Sequence, residues 1–421
     1  MVNKRIVICC LITVLLMVNT VVIADAKPSE IEESDHDWPM FRYDEMNTGY
    51  TADTYGPDEK PGKVWSIKDD NWSMNSASLL GDSLYIGSES GSDGFYAVNI
   101  SSGDVRWALD GYETIRSTPT IHEDLVLFGC NDDHIYAINR HDGSLVWEFK
   151  TYKDIESSPK IVNDTVYIGS NDGKLYALDL KNGTERWSFQ TGSALTSTPA
   201  IYKGDVYIGG GMGNVYSLDS DNGSLNWHID VGGGINSSPA IKDDKLYVGS
   251  VDNNLYAIDI LDGTIEWLFE TGATVNSSPA VDENTVYFGS YDRNLYALDP
   301  SSGVLKWKYE TKGKVHSSPA VVRDTVYFGS VDGYLYALNR SNGKKIWRYN
   351  TDGRIYSSPA VSEGKIYIGS ENRILALGEV DSDGIPSYPF TLTVGILLIM
   401  ALIYNLKTKD DTDISFKRKR S

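Results

Sequence analysis

One column of polar residues varies from unit to unit while its neighbours repeat. Just before a recurring pair of small hydroxyl residues stand Asn75, Arg116, Glu156, Thr196, Asn236, Asn276, His316 and Tyr356. Every one carries a polar group, and among neighbours only Asn236 and Asn276 match. A mixed set of donors, acceptors and charges is what a small polar ligand or a partner loop would need. The competing reading is that a water-filled channel requires polar lining and nothing more. Arg116 and Glu156 would pair with each other across adjacent repeats.

A second series is acidic. Asp132, Asp172, Asp252, Asp292 and Asp332 fall in a turn, with Met212 and Asn372 at the corresponding places. Carboxylates on successive turns could bind Ca²⁺. Asp also caps tight turns through its own backbone, and capping is the better reading, because residues so regularly placed on separate repeats do not converge on one ion. No metal site is assigned. His36, His122, His134, His141, His228 and His316 are scattered over unrelated positions, and no hydrolytic triad spacing or phosphate-cradling glycine loop is found. No catalytic residue is assigned, and the chain reads as a non-enzyme.

The elements that position these residues follow from the period. Trp107, Trp147, Trp187, Trp227, Trp267, Trp307 and Trp347 recur every 40 residues, and Trp65 stands 42 residues before the first. Pro119 to Pro359 and Tyr136 to Tyr336 keep the same interval, so one structural unit is copied along the chain. Within it, segments such as "TVYFGS" and "YLYALN" alternate β-branched and aromatic residues between turn sequences such as "RD", "VDG" and "RSNG". Nothing has helical spacing. Four antiparallel strands per unit make the blade of a β-propeller. The last unit has three strands and lacks its Trp, while "GKVWSIK" around Trp65 is a strand without a unit. Pairing the two ends completes an eighth blade and removes the exposed edges. The expectation is an all-β, eight-bladed propeller of four-stranded antiparallel blades. Each Trp then docks one blade on the next, burying about 150–250 Å², or about 4–6 kcal/mol gross.

The ends read differently. Residues 1–26 have a basic start, an apolar run and an Ala24-x-Ala26 site, the layout of a secretory signal peptide. A lead-in segment (27–62) precedes the propeller (63–380), and an acidic, Pro-containing linker (381–389) follows it. The apolar run 390–406 is read as one C-terminal transmembrane helix, about 25 Å long at ~1.5 Å per residue. The basic tail 407–421 places the cytoplasm after it and the propeller outside the cell. Between the two ends the chain carries 30 basic and 54 acidic residues, which disfavours nucleic acid and anionic lipid as partners. Cys9 and Cys10 fall in the signal segment, leaving Cys130 alone and no disulfide framework. Eight sequons, at Asn71, Asn99, Asn163, Asn182, Asn222, Asn236, Asn276 and Asn339, could carry N-glycans outside the cell.

The unit G-S-x-D-G-x-L-Y-A-L-D-x-x-x-G-x-x-x-W resembles the pyrroloquinoline-quinone (PQQ) repeat. The segment "DWPMFRYDEMNTGYT" from Asp37 to Thr51 is similar to the lead-in of PQQ-like propellers of the BamB-like type. The resemblance implies an eight-bladed ring with the "SSPA" strand innermost, so that the non-repeating residues would circle one mouth of a central channel. Quinoprotein dehydrogenases of this group bind PQQ and Ca²⁺ in the central funnel, usually with an adjacent-Cys disulfide. Here the adjacent pair is Cys9-Cys10, and the units are too regular to hold the inserted loops of those enzymes. BamB-like relatives act as scaffolds in envelope protein assembly. The expectation is therefore a membrane-anchored, non-catalytic binding scaffold for other envelope or surface proteins, without cofactor. The alternatives are a PQQ/Ca²⁺-dependent oxidoreductase and a self-associating structural envelope protein.

Overall fold

Each forty-residue unit folds into four antiparallel strands because its apolar residues alternate and its turns can reverse tightly. In one blade these are Ala320–Val322, Thr325–Gly329, Tyr334–Asn339 and Lys345–Asn350. The computed structural model describes residues 37–68, 75–89 and 94–380. The signal segment, the linker, the apolar run 390–406, the basic tail, Cys9, Cys10, His36 and Asn71 lie outside the described residues. Among the described residues no helix is long and apolar enough to cross a membrane.

The first hairpin turns on two residues with positive φ, such as Asn163 (50°) with Asp164 (59°) and Asp243 (49°) with Asp244 (61°). That is the turn whose twist matches paired strands, and Asn and Asp tolerate it best. The two middle strands are almost wholly buried, while the outermost alternates exposed and half-buried residues. A bulge just before the Trp aims the indole, which lies opposite Ala337 for Trp347 and Ala97 for Trp107.

Eight such sheets stand side by side, the seventh carrying Tyr50–Thr51 as a fifth strand parallel to Ala320–Val322, and the first strands of the blades touch in a closed ring. The eighth is made from both ends of the chain, Gly62–Lys68 pairing antiparallel with Arg373–Gly378 and Trp65 opposite Ala376. The expected closure is therefore present. Two hydroxyl residues per unit serve it. The first, as in Ser117, binds the carbonyl of Gly129 on its own blade at 2.9 Å. The second accepts a backbone N–H from the preceding blade, Thr118 to Ser158 at 2.9 Å and so on round to Ser358, whose N–H reaches Ser76 at 2.9 Å.

The tryptophans link the outer rims. The Nε1–H of Trp65 donates to Ile100 O on the next blade at 2.8 Å, and that of Trp147 to Leu180 O at 2.8 Å. Beneath each of these indoles lies a glycine with positive φ. A Cβ on Gly183 would stand 2.5 Å from the ring of Trp147, so only glycine lets the turn and the indole meet. Trp347 differs, because blade 8 has no such turn. Its indole donates instead to Pro57 O in the lead-in at 3.1 Å.

The lead-in does more than precede the ring. From Trp38 to Tyr55 it travels inside the circle past every blade in turn. Its carbonyls accept from the innermost strands, Trp38 from Leu79, Pro39 from Ile121, Glu45 from Ile201, Met46 from Ile241, Thr48 from Val281 and Gly49 from Val321, and from the turn after the last of them, Tyr55 from Gly364, all at 2.8–3.0 Å. Innermost strands are sheet edges with unpaired N–H groups, and this segment pairs them. Blade 3 joins differently, through Lys160, whose Nζ donates to Phe41 O at 2.6 Å and Asp44 O at 2.5 Å.

Candidate functional site: the open mouth of the channel

The circuit of the lead-in closes one end of the central channel. Arg42, held at φ 63°, sends its guanidinium to the carbonyls of Pro319 and Pro279, the latter at 2.7 Å. Asn47 Nδ2 donates to Pro239 O at 2.9 Å and to Pro199 O at 3.2 Å. Burial drives Arg42 down to about 9, against the opposing charge of Asp44. It likewise drives Lys160 down to about 7 and raises Asp44. Gly49 is required here, since a Cβ would meet the Arg42 guanidinium at 2.1 Å. The space left between Trp38, Phe41, Arg42, Ala77 and Thr118 is a cavity of about 10 Å³, room for one water.

The other mouth lies at the opposite ends of the same strands. Arg116, Glu156, Thr196, Asn236, Asn276, His316 and Tyr356 stand there, each one residue ahead of the hydroxyl that staples its blade. Asn75 does not. Its Nδ2 donates to Gly87 O at 3.0 Å, twelve residues on, and to Ile115 O, which is the place Ser117 fills on blade 2. Its register is therefore shifted one step inward. The first unit reads Asn-Ser-Ala where the others read x-Ser-Ser/Thr-Pro, and without its proline the alignment slips by one.

Around this mouth the side chains form sectors. Arg116 sits between two carboxylates, Nε 3.1 Å from Glu89 and Nη1 2.9 Å from Glu156. Burial raises Glu89, and the Arg116 charge works against that rise. On blades 4 and 5, Thr196 and Asn236 flank glycines. A Cβ on Gly234 would stand 2.6 Å from Gly211 O, so two backbones approach here as nothing larger would allow. On blades 6 to 8, Asn276 Nδ2 donates to the Tyr291 hydroxyl at 3.0 Å. The His316 ring lies 5.9 Å from Tyr291 and 5.7 Å from Tyr356, and its Nδ1 is 3.3 Å from Tyr356 O. Burial holds the His316 imidazole below its ordinary value.

Two further columns vary as freely, and the single-column reading missed them. One is Thr114, Asp154, Ala194, Gly234, Thr274, Lys314 and Arg354. The other begins at Glu89 and continues through Asn131, Asn171, Gly211, Val251, Tyr291, Val331 and Glu371. Backbone hydrogen bonds join them blade by blade, Asn131 N–H to Thr114 O at 2.9 Å through to Glu371 N–H to Arg354 O at 3.0 Å. Applying the forty-residue register to every column, not one, would have found them.

The acidic series is engaged in its own turns. Oδ1 of Asp172 accepts from Lys174 N–H at 2.8 Å and Oδ2 from the Tyr176 hydroxyl at 2.7 Å. Asp132, Asp252, Asp292 and Asp332 repeat this with Tyr136, Tyr256, Tyr296 and Tyr336. Met212, lacking the carboxylate, is 71% exposed. Among the described residues no three His, Cys, Asp or Glu side chains are grouped to hold a metal ion. Cys130 is buried, and burial pushes its thiol up to about 12. A tricyclic quinone with Ca²⁺ needs a cavity of hundreds of Å³ and clustered ligands. The residues around the 10 Å³ axial cavity do not fit that group.

Comparison with known proteins agrees with this geometry. Residues 58–229 match the family model described as outer membrane protein assembly factor BamB, and residues 202–397 match that of the β-alanine-activating enzyme β-propeller. No curated protein sequence matched the chain. Among solved structures, BamB from Moraxella catarrhalis superposes with a TM-score of 0.65 at 21% identity, covering 76% of this chain and 99% of its own. Quinohemoprotein alcohol dehydrogenase from Comamonas testosteroni gives 0.72 at 13% identity, covering 86% and 83%. A computationally designed protein, Ika8, gives 0.68 at 14%, covering 75% and 99%. At these identities the likeness is one of fold.

Proposed function

Because the chain is a PQQ-like repeat β-propeller, BamB-like in its repeat and its ring, we propose that it is a non-catalytic protein-binding scaffold in assembly at a cell envelope. Its partner docks on the open mouth. Residues 390–406 tether it to the membrane, with the propeller outside the cell.

One observation carries this reading. The frame repeats almost unchanged around the ring, while three columns of residues at one mouth do not. The other mouth is filled by the lead-in, so an axial approach is free from one side only. Relief from repetition at a surface is what recognition of an asymmetric partner requires.

The test is capture from solubilised membranes of the protein's own cells, with bound proteins identified by mass spectrometry. The wild-type propeller should retain a defined partner, and Thr196→Arg with Asn236→Arg should lose it. Equal recovery by both, or recovery of nothing, removes the reading. The structural likeness to a quinohemoprotein dehydrogenase supports a second reading as a PQQ-dependent oxidoreductase. Adding PQQ and Ca²⁺ and following quinone absorbance and dye reduction separates the two.

A further inference from the structure

The open mouth is uneven in how its charges are employed. In the sector of blades 1 to 3, Arg116 is shared between Glu89 and Glu156, so those charges satisfy one another. In the sector of blades 6 to 8 they do not. Lys314 and Arg354 hold the same register position on adjacent blades, their carbonyls accepting from Val331 and Glu371. Both side chains are exposed. Neither makes an ion pair with a described residue, and the nearby Glu371 carboxylate accepts the Arg354 backbone N–H at 3.2 Å.

The Lys314 ammonium lies 4.5 Å over the Tyr291 ring, which fixes it without neutralising it. Below it, Asn276 spends its Nδ2 on Tyr291 and leaves its Oδ1 buried without a donor. In a chain of net charge −20, cations have an abundance of carboxylates to pair with. Two kept free of ion pairs on adjacent blades create a local preference for an anion.

We propose that this sector binds a carboxylate-bearing peptide segment of a partner protein. An Asp or Glu side chain lies between Lys314 and Arg354, and a flanking side chain rests on His316 and Tyr356. The proposal rests on the scaffold reading in that the partner is a protein. An acidic sugar fits less well, because its hydroxyls also need neutral donors, and Asn276 Nδ2 and His316 Nδ1 already have partners. A nucleic acid would be repelled by the acidic surface around the sector.

The test uses the full-length chain in detergent and fluorescein-labelled peptides centred on Asp-Tyr-Asp, Asn-Tyr-Asn and Lys-Tyr-Lys, read by fluorescence anisotropy. The Asp peptide should bind roughly tenfold more tightly than the Asn peptide, with the difference shrinking as salt rises. Lys314→Gln with Arg354→Gln should abolish that preference at an unchanged melting temperature. Lys203→Gln, on a turn beside the lead-in, should keep it. Equal binding of the Asp and Asn peptides, binding of neither, survival of the preference in the double variant, or tighter binding of an oligouronate overturns the proposal. If a membrane partner is still captured when these fail, the scaffold reading stands alone. If the peptide preference holds and nothing is captured, the carboxylate site stands and the scaffold reading falls.

Discussion

The two mouths of the channel are made from opposite ends of the same eight strands, yet they solve different problems. At one, the lead-in passes every blade, pairs edge N–H groups and buries Arg42, Asp44 and Lys160 together. At the other, the strands are held by their own hydroxyl staples, by backbone hydrogen bonds between loops and by the Arg116–Glu156 pair, and the side chains facing outward differ from blade to blade. The first mouth has the contacts that hold the ring. The second has the variety that a partner could read. Ring-holding contacts and sequence variety are thus separated along one axis, and substitutions at the two ends should separate in the same way.

The sharpest break is removal of residues 37–56. Backbone N–H groups on seven blades and the Lys160 ammonium on the remaining one lose their acceptors together, a loss comparable with a domain's whole stability of about 5–15 kcal/mol. A cooperative thermal transition should vanish. Trp347→Ala comes next. It empties a site only 4% exposed and frees Pro57 O, so a loss of about 3–5 kcal/mol is expected by denaturant titration.

Lys160→Met keeps the volume but gives up the link to Phe41 and Asp44, at about 1–3 kcal/mol. It also changes the pH profile. The folded state holds Lys160 down to about 7 from an ordinary 10.5, so between those values the unfolded chain binds the extra proton. Wild-type stability should therefore rise from about pH 7 towards pH 10 through this group, and the rise should be absent in Lys160→Met. Paired titrations at several pH values check the slope. The smallest effect belongs to the open mouth. Arg116→Gln, at a side chain 45% exposed with Glu89 at 11% and Glu156 at 26%, should shift stability by about 1 kcal/mol. A larger loss there would mean that the two mouths are not divided as described.

Most of the frame was legible before any coordinates. Blade number, the closure by Trp65 and the antiparallel strand pattern follow from a period so strict that every copy testifies to the same fold. The lead-in was not legible as a plug. It occurs once, has no alternation, and follows the ring because Arg42, Tyr43 and Asn47 adopt positive φ, at 63°, 76° and 56°. Nothing in a single pass of sequence announces that. The mouth was legible in part. Arg116 and Glu156 meet as their types suggest, but Asn75 slipped inward where Ala77 replaces the guiding proline. Tyr291 and Lys314 escaped because only one column was followed around the ring.

The eighth blade draws its outer strand from before the first blade and its other three from after the seventh. On a ribosome, the strand around Trp65 emerges long before its neighbour at Ala376 has been translated. The lead-in must likewise wait for donors up to 309 positions downstream. Sealing is therefore the final event of biosynthesis, and until it happens the nascent molecule is an open arc with two sticky margins.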